Sequence, residues 1–206
     1  MKISLIVEGK TEVAFSKTLR QFLKSRLSGR MPKLDFVPQG GRIPTGNKLK
    51  RLIERLLGGS YPADAVIALT DVYTGTREFA DAADAKSKMQ EWAGNEARFH
   101  PHAAQHDFEA WLLPYWSTIQ RLAGHNKSAP SGEPERVNHN KPPSQHIEEL
   151  FRAGTRRDAY SKVRDGMRIL RDVDLIDAAY KCPELRAMLN TILELCGGET
   201  IPDTKH

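Results

Sequence analysis

Five acidic residues are spaced in a way that would suit a metal site. They follow three apolar segments that are far apart in the chain: Glu8 and Glu12 after residues 2–7, Asp71 after residues 65–69, and Asp107 and Glu109 after residues 98–105. Carboxylate oxygens are the ligands that hard divalent cations prefer. Acidic groups that converge on one edge repel one another, and each costs desolvation unless a cation is present. Taken together, the five residues predict a Mg²⁺ or Mn²⁺ site.

A simpler explanation is open for three of these residues. The helix macrodipole favours Asp and Glu in the first turn of a helix, which would account for Glu12, Asp107 and Glu109 without a metal. Glu8 and Asp71 fit that explanation less well, because each ends an apolar segment. The simpler explanation is therefore preferred for any single residue, and the metal site for the set.

Four short segments predict the strands that would position these acids. They are rich in apolar or β-branched residues and cover residues 2–7, 33–37, 65–69 and 98–105. Helical patterns separate them, so we predict an α/β fold with a mostly parallel sheet and right-handed crossovers. In such sheets, ligands bind at the carboxyl ends of the strands, which is where the acids fall.

Apolar residues at helical spacing predict the helices. The first begins after Lys10, Asn47 is predicted to cap the second, and Pro114 is predicted to bend or shorten the fourth. The others are predicted at residues 78–92, 144–151, 167–180 and 184–195.

These elements predict one α/β domain with a helical appendage. The domain covers residues 1–123, and residues 124–143 form a loop or disordered insert that is rich in Gly, Pro, Asn, Ser and His. Residues 144–196 form helices that pack on the same domain, and residues 197–206 form a flexible tail.

Composition predicts an ordinary cytoplasmic globular protein. Of its 206 residues, 28% are charged and 39% are hydrophobic, no apolar run reaches the length of a membrane span, and two cysteines make no disulfide framework. The net charge is +5, but residues 1–60 hold 13 basic and 4 acidic residues, whereas residues 61–124 hold 5 and 9. The basic part permits a nucleic-acid partner, although its charges can equally serve to solvate amphipathic helices.

The segments VEGKTE, TD and HDFEAWLL resemble the motifs of the TOPRIM-like fold. The resemblance is greatest to the small OLD-type branch, which includes a family known as a domain of unknown function, and it extends into the C-terminal helices. It implies a metal-dependent nuclease that hydrolyses phosphodiester bonds in DNA or RNA. Members of that family occur in anti-phage operons beside an ABC-type ATPase, and the TOPRIM subunit of the PARIS system is one relative.

The resemblance also implies roles for single residues. Glu8 matches the invariant Glu of the TOPRIM motif, a metal ligand or acid–base group, and Asp71 matches the first Asp of the Asp-x-Asp motif. Glu12 and Glu109 match the second and final acidic residues. Tyr73 stands where the second Asp is expected, so Glu12 or Asp107 would have to supply the missing oxygens. On this basis Glu8 and Asp71 would hold one ion, and Glu12, Asp107 and Glu109 would share a second.

Basic residues supply the other predicted contacts. Lys162, in the stretch YSK, is a candidate for neutralising the charge of the transition state, and Lys10 is another. Nucleic-acid contacts are predicted for Lys10, Arg42, Lys48 and Arg51. One alternative is a TOPRIM-like module that has lost turnover, binds metal or nucleic acid, and docks on a partner ATPase. Another is a subunit that stays inactive until its partner releases it.

Overall fold

Four parallel strands form the centre of the fold. The strands are β1 (Lys2–Val7), β2 (Lys33–Pro38), β3 (Ala65–Val72) and β4 (Phe99–Gln105). They lie in the order β2-β1-β3-β4, and all three pairs of neighbours are parallel. The α/β prediction is therefore confirmed. The structure, a computed structural model, describes residues 1–72, 78–138, 141–155 and 159–203.

Helices follow each strand and then continue to the C-terminus. The α-helices are α1 (Lys10–Arg26), α2 (Gly46–Gly58), α3 (Ala82–Trp92), α4 (Trp116–Ala123), α5 (Pro143–Ala153), α6 (Lys162–Ile169), α7 (Leu175–Ala179) and α8 (Pro183–Leu195). Two 3₁₀ helices, Phe108–Tyr115 and Pro134–Arg136, precede and follow α4. No helix in the described part of the chain is long and apolar enough to cross a membrane.

Side chains that alternate along the strands build a separate core on each face of the sheet. Ile3 and Leu5 in β1 pack with α1 and the C-terminal helices, whereas Ile6 points to the opposite face and packs with α2 and α3. Burial on both faces explains why β1 and β3 read as nearly continuous apolar runs rather than as alternating ones. The acidic edge thus lies between two helical layers of unequal size.

Two predicted element boundaries near the acids are wrong. The strand expected at residues 65–69 continues through Thr70 and Asp71, because their backbone pairs in register with Ala103 and Ala104 of β4. Asp71 is therefore inside the strand rather than after it. The helix expected from residue 78 begins at Ala82, where the side chain of Asp81 accepts a hydrogen bond from the backbone N–H of Asp84.

Two predictions for the other helices also need correction, and a third is confirmed. Thr45, not Asn47, occupies the N-cap of α2, and Asn47 lies in the first turn. The helix expected at residues 167–180 is two helices, α6 and α7, because the chain takes a left-handed conformation at Asp172 and Asp174 caps the second one. Pro114 shortens the fourth helix as predicted, because it lies in the 3₁₀ helix and α4 begins only at Trp116. The division into domain, insert, appendage and tail stays a prediction.

Candidate active site

Glu8 joins the ends of the two central strands. It directly follows β1, its side chain is 6% exposed, and its Oε1 accepts hydrogen bonds from Thr70 Oγ1 at 2.7 Å and from the Asp71 backbone N–H at 3.0 Å. These bonds fix one carboxylate oxygen against β3. They also place Glu8 beside Asp71, although 62 residues separate them in the chain.

Asp71 lies at the centre of the acidic group. Its side chain is 7% exposed, and its pKa is raised well above the usual range, first by burial and then by the negative charges of Glu8, Asp107, Glu12 and Glu109. Each of the other four predicted ligands thus acts electrostatically on this one carboxyl group. The acids that are scattered along the sequence meet in space.

Glu12 is buried in the first turn of α1. Its Oε2 accepts a hydrogen bond from the Gly9 backbone N–H at 3.0 Å, which satisfies a donor at the start of the helix. The simpler explanation from the sequence, a carboxylate that stabilises a helix N-terminus, therefore holds for this residue. It does not compete with a role in the cleft, because the same side chain also lines it.

Asp107 is buried at the N-cap of the 3₁₀ helix that follows β4. Its Oδ2 accepts a hydrogen bond from the backbone N–H of Ser144, at the start of α5, at 3.1 Å. Its Oδ1 is buried and has no hydrogen-bond partner among the described residues. Burial raises the pKa of this carboxyl group, which the Ser144 hydrogen bond and the charge of Lys162 partly oppose.

Glu109 is the most deeply buried of the five acids, at 1% exposure. Its Oε2 lies 3.1 Å from Lys162 Nζ, and its Oε1 accepts a hydrogen bond from the Tyr160 hydroxyl at 3.4 Å. Burial and the charge of Asp107 raise its pKa to about 7, although Lys162 acts in the opposite direction. This side chain can therefore exchange a proton near neutral pH.

Lys162 brings a positive charge to the acidic group from the start of α6. Burial lowers the pKa of its ammonium group, but the charges of Glu109, Asp107 and Asp71 and the hydrogen bond to Glu109 outweigh burial and raise it overall. The side chain is 43% exposed, so its charged end stays accessible from solvent. The described site thus contains a permanent cation beside its acids.

These side chains surround an open cleft of about 170 Å³ at the carboxyl edge of the sheet. Four of the five predicted ligands line it, and Asp107 lies behind them, within electrostatic range of Asp71. The lining residues are Glu8, Gly9, Thr11, Glu12, Gly41, Asp71, Phe108, Glu109 and Lys162.

The side chains of the cleft are of the right chemical type for a hard divalent cation, but their positions are not those of a formed metal site. All of its acidic donors are carboxylates, the buried Oδ1 of Asp107 lacks a partner in the described structure, and the repulsion on Asp71 would be relieved by a cation. However, no three Asp, Glu, His or Cys side chains of the described ranges are grouped closely enough to hold a metal. Binding would therefore require these side chains to rotate toward a common point.

The predicted nucleic-acid contacts are placed unevenly around the cleft. Lys10 is exposed at the start of α1, next to the cleft, and Arg42 adjoins the lining residue Gly41 but forms an ion pair with Glu78 at 2.9 Å. Lys48 and Arg51 are exposed on α2, in the layer on the opposite face of the sheet from α1. Tyr73 lies outside the described residues.

Three residues of the site were not identified from the sequence. Thr70 holds Glu8, Ser144 donates to Asp107, and Tyr160 donates to Glu109. Thr70 and Tyr160 could have been suspected from the sequence, because the first adjoins Asp71 and the second belongs to the stretch YSK with Lys162. The contact of Ser144 is made by its backbone, which no side-chain pattern reveals.

Solved structures share this fold. The C-terminal region of the Burkholderia pseudomallei OLD protein superposes with a TM-score of 0.52 at 14% identity, covering 94% of this chain and 98% of that one. The same region of the Xanthomonas campestris pv. campestris OLD protein, phased with mercury, gives 0.50 at 12% identity, covering 95% and 96%. Its platinum-phased counterpart gives 0.51 at 12% identity, covering 95% and 93%. At these identities, the likeness establishes the shared fold alone.

Comparison at the level of sequence gives the family. No curated protein matches the chain. The family model described as a domain of unknown function, DUF4276, matches residues 7–193, which include all five acids and Lys162. The chain therefore belongs to the DUF4276 family.

Proposed function

We propose that this protein is a metal-dependent nuclease of TOPRIM/OLD type that hydrolyses phosphodiester bonds in DNA or RNA. The observation that supports this most is the meeting of Glu8, Asp71 and Glu109, from three distant segments, in one cleft with Lys162. Buried acids that raise one another's pKa values cluster at functional sites more than elsewhere. The shared fold with OLD C-terminal regions agrees with the proposal.

The five acids would divide the work of holding divalent ions. Glu8 and Asp71 would hold a first Mg²⁺ or Mn²⁺ ion, and Glu12, Asp107 and Glu109 would share a second. Bound there, these ions would supply positive charge for the phosphate and for the leaving oxygen, and would lower the pKa of a bound water.

Side chains and backbone groups of the protein itself would orient the acids and neutralise the charge of the phosphate. The Thr70 hydroxyl and the Asp71 backbone N–H donate to Oε1 of Glu8 and so keep this carboxylate beside Asp71. The Lys162 ammonium lies at the mouth of the cleft, where it would bind a non-bridging phosphate oxygen and stabilise the charge that develops in the transition state. Tyr160 would keep Glu109 in position through its hydroxyl.

We further propose that the protein is the effector of an anti-phage defence pair with an ABC-type ATPase, as in systems of the PARIS type. This part rests on the motif resemblance of VEGKTE, TD and HDFEAWLL. Co-purification of an ATPase with the tagged protein from its native host supports the pairing. Cleavage at the full rate without any partner opposes regulation by it.

A second candidate function is a catalytically inactive module that binds metal or nucleic acid and docks on such an ATPase. Two observations favour it: Tyr73 replaces the second Asp of the motif, and no three potential ligands in the described ranges form a ready metal group. The two candidates differ in their products. Both would bind Mg²⁺ or Mn²⁺, but the nuclease alone would give 3′ or 5′ termini of defined chemistry.

The test is cleavage of end-labelled RNA and DNA with Mg²⁺ or Mn²⁺, for the protein alone and with any ATPase that co-purifies. Wild type is compared with Glu8→Ala, Asp71→Ala and the matched surface control Glu54→Ala, which is exposed on α2. We expect the control to cleave at the wild-type rate and the two cleft variants to lose at least about a hundredfold. Equal cleavage by all four proteins would contradict the site assignment.

A further inference from the structure

We infer that a groove between α1 and α6 binds the sugar–phosphate backbone of one nucleic-acid strand as it leaves the carboxylate cleft. The inference rests on the proposed function and goes beyond it, because it names the path of the substrate. The groove lies apart from the residues on α2 that the sequence suggested for nucleic-acid contact.

The groove is continuous with the cleft. Thr11, Phe108 and Lys162 line both, so the two depressions adjoin. At its far end, Arg171 and Asp172 also line a further pocket between α4 and α6. Three adjoining depressions therefore form one track across this face of the molecule.

Positive charge is concentrated in the two depressions beyond the carboxylate cleft. The cations that line them are Lys162 at the cleft, Lys17 on α1, and Arg121, Arg168 and Arg171 at the far end. Asp172 is the acid among the lining residues of these two depressions, and Arg168 is engaged with Asp165 at 3.0 Å. Within the described structure, Lys17, Arg121 and Arg171 have no carboxylate partner within ion-pair distance. Cations that are not committed to internal ion pairs are the groups that bind phosphates.

The lining of the groove suits a single strand. Met167 on α6 lines it with its side chain 44% exposed, and Phe15 and Phe108 line it as well, so the groove offers apolar and aromatic contacts beside its cations. Proteins that bind single strands combine a positively charged groove with such side chains.

The experiment measures binding without catalysis. The full-length protein is titrated in EDTA against a fluorescent single-stranded oligonucleotide, as DNA and as RNA of the same sequence, at several salt concentrations. The groove variant is Arg121→Glu with Arg171→Glu, and the matched control is Lys50→Glu with Arg55→Glu on α2. All four positions are exposed, and the two variants change the net charge equally.

We expect the groove variant to weaken binding of at least one of the two strands about tenfold or more at low salt. Loss of two phosphate contacts should also make the slope of log K against log salt about 1.4 units shallower. The α2 variant should change the dissociation constant less than about twofold. A single Arg171→Ala variant should lower the slope by about 0.7, which separates a lost contact from a damaged fold.

Three results would overturn the inference: unchanged binding by the groove variant, an equal loss in both variants, or no binding by the wild type. Because the titration contains no metal, it is independent of the cleavage assay. If Glu8→Ala and Asp71→Ala cleave normally but the groove variant fails to bind, the proposed active site is wrong and the groove inference is supported. If the two cleft variants lose cleavage but the groove variant binds normally, the groove inference is wrong and the nuclease proposal is supported.

Discussion

Two kinds of buried carboxylate occur in this molecule. Asp165 in α6 has no exposed surface and is surrounded by donors: Arg164 at 2.9 Å, Arg168 at 3.0 Å and the Ser161 backbone N–H at 2.8 Å. Its pKa is lowered, because these hydrogen bonds and the charge of Arg164 together outweigh burial. Asp71 is buried to a similar degree among four other acids, and its pKa is raised.

Glu135 is a third buried acid, and like Asp165 it serves the structure because several donors surround it. It accepts hydrogen bonds from Trp111 Nε1 and from the backbone N–H groups of Glu184 and Leu185, at the start of α8. Burial and the charge of Glu184 raise its pKa even so, although these hydrogen bonds act in the opposite direction. Burial alone therefore does not mark a functional acid. A buried acid that several other acids surround does, because the fold leaves its charge uncompensated.

The largest loss of stability should come from removing a buried acid whose charge is balanced by neighbouring arginines. Asp165→Ala leaves two arginines and a helix-start N–H without their acceptor, so we expect the free energy of unfolding to fall by about 3 kcal/mol. Urea denaturation measures it. Asp203→Ala is the control, since Asp203 pairs with Arg186 at the surface, and it should cost less than about 1 kcal/mol. Equal losses would contradict the assignment of Asp165 as structural.

The next largest loss is expected for Glu135→Ala, which should lower the free energy of unfolding by about 2 kcal/mol. The substitution removes the acceptor for the Trp111 indole and for two N–H groups of α8, and buried donors without partners are costly. Glu135→Gln keeps an acceptor oxygen and should recover part of the loss in the same denaturation experiment. A glutamine variant as unstable as the alanine variant would show that charge rather than hydrogen bonding matters here.

The pH dependence of stability should reveal Glu109. Its pKa of about 7 in the folded protein is above the ordinary value of 4.5, so the folded chain holds a proton that the unfolded chain has released. Stability from this group is therefore greatest at low pH and is lost as the pH rises from about 4.5 to about 7.

Comparison with Glu109→Gln measures this contribution together with the effect of Glu109 on the neighbouring acids. Between pH 5 and pH 8 without divalent ions, the wild type should lose about 2 kcal/mol more stability than the variant. Buried His102, whose pKa is lowered to about 3 chiefly by burial, acts in the opposite direction but contributes equally to both proteins. Parallel pH profiles would contradict the raised pKa of Glu109.

The smallest change in stability should be an increase. Asp71→Asn removes a buried charge that four acids repel, so the variant should be more stable than wild type by about 1 kcal/mol without metal. Added Mn²⁺ should raise the melting temperature of wild type more than that of the variant. Glu54→Gln on α2 is the control and should change neither quantity. A destabilised Asp71→Asn protein would place Asp71 with the structural acids.

The fold was largely predictable because the strands are short apolar runs with helical patterns between them. Asp71 shows where such reasoning stops: Thr70 and Asp71 are polar, yet β4 supplies backbone partners that keep them in the strand. The single helix expected at residues 167–180 failed for a local reason, the left-handed backbone at Asp172, which side-chain periodicity does not report.

The acidic cleft was predictable in outline, since strand order in parallel sheets brings carboxyl ends together. The contacts that hold its members were not. Ser144 and Tyr160 reach Asp107 and Glu109 from segments after residue 140, and only tertiary packing brings them there. The same packing creates the groove between α1 and α6, whose cations are dispersed in the sequence from Lys17 to Arg171.

A crystal soaked in Mn²⁺ shows whether acids from distant segments hold a common divalent ion. Anomalous scattering locates manganese without assumptions about its ligands. We expect a manganese ion in the cleft with oxygens of both Glu8 and Asp71 within about 2.0–2.6 Å, after rotation of these side chains. A cleft empty at saturating Mn²⁺, or manganese held by acids elsewhere on the surface, would rule out the shared site.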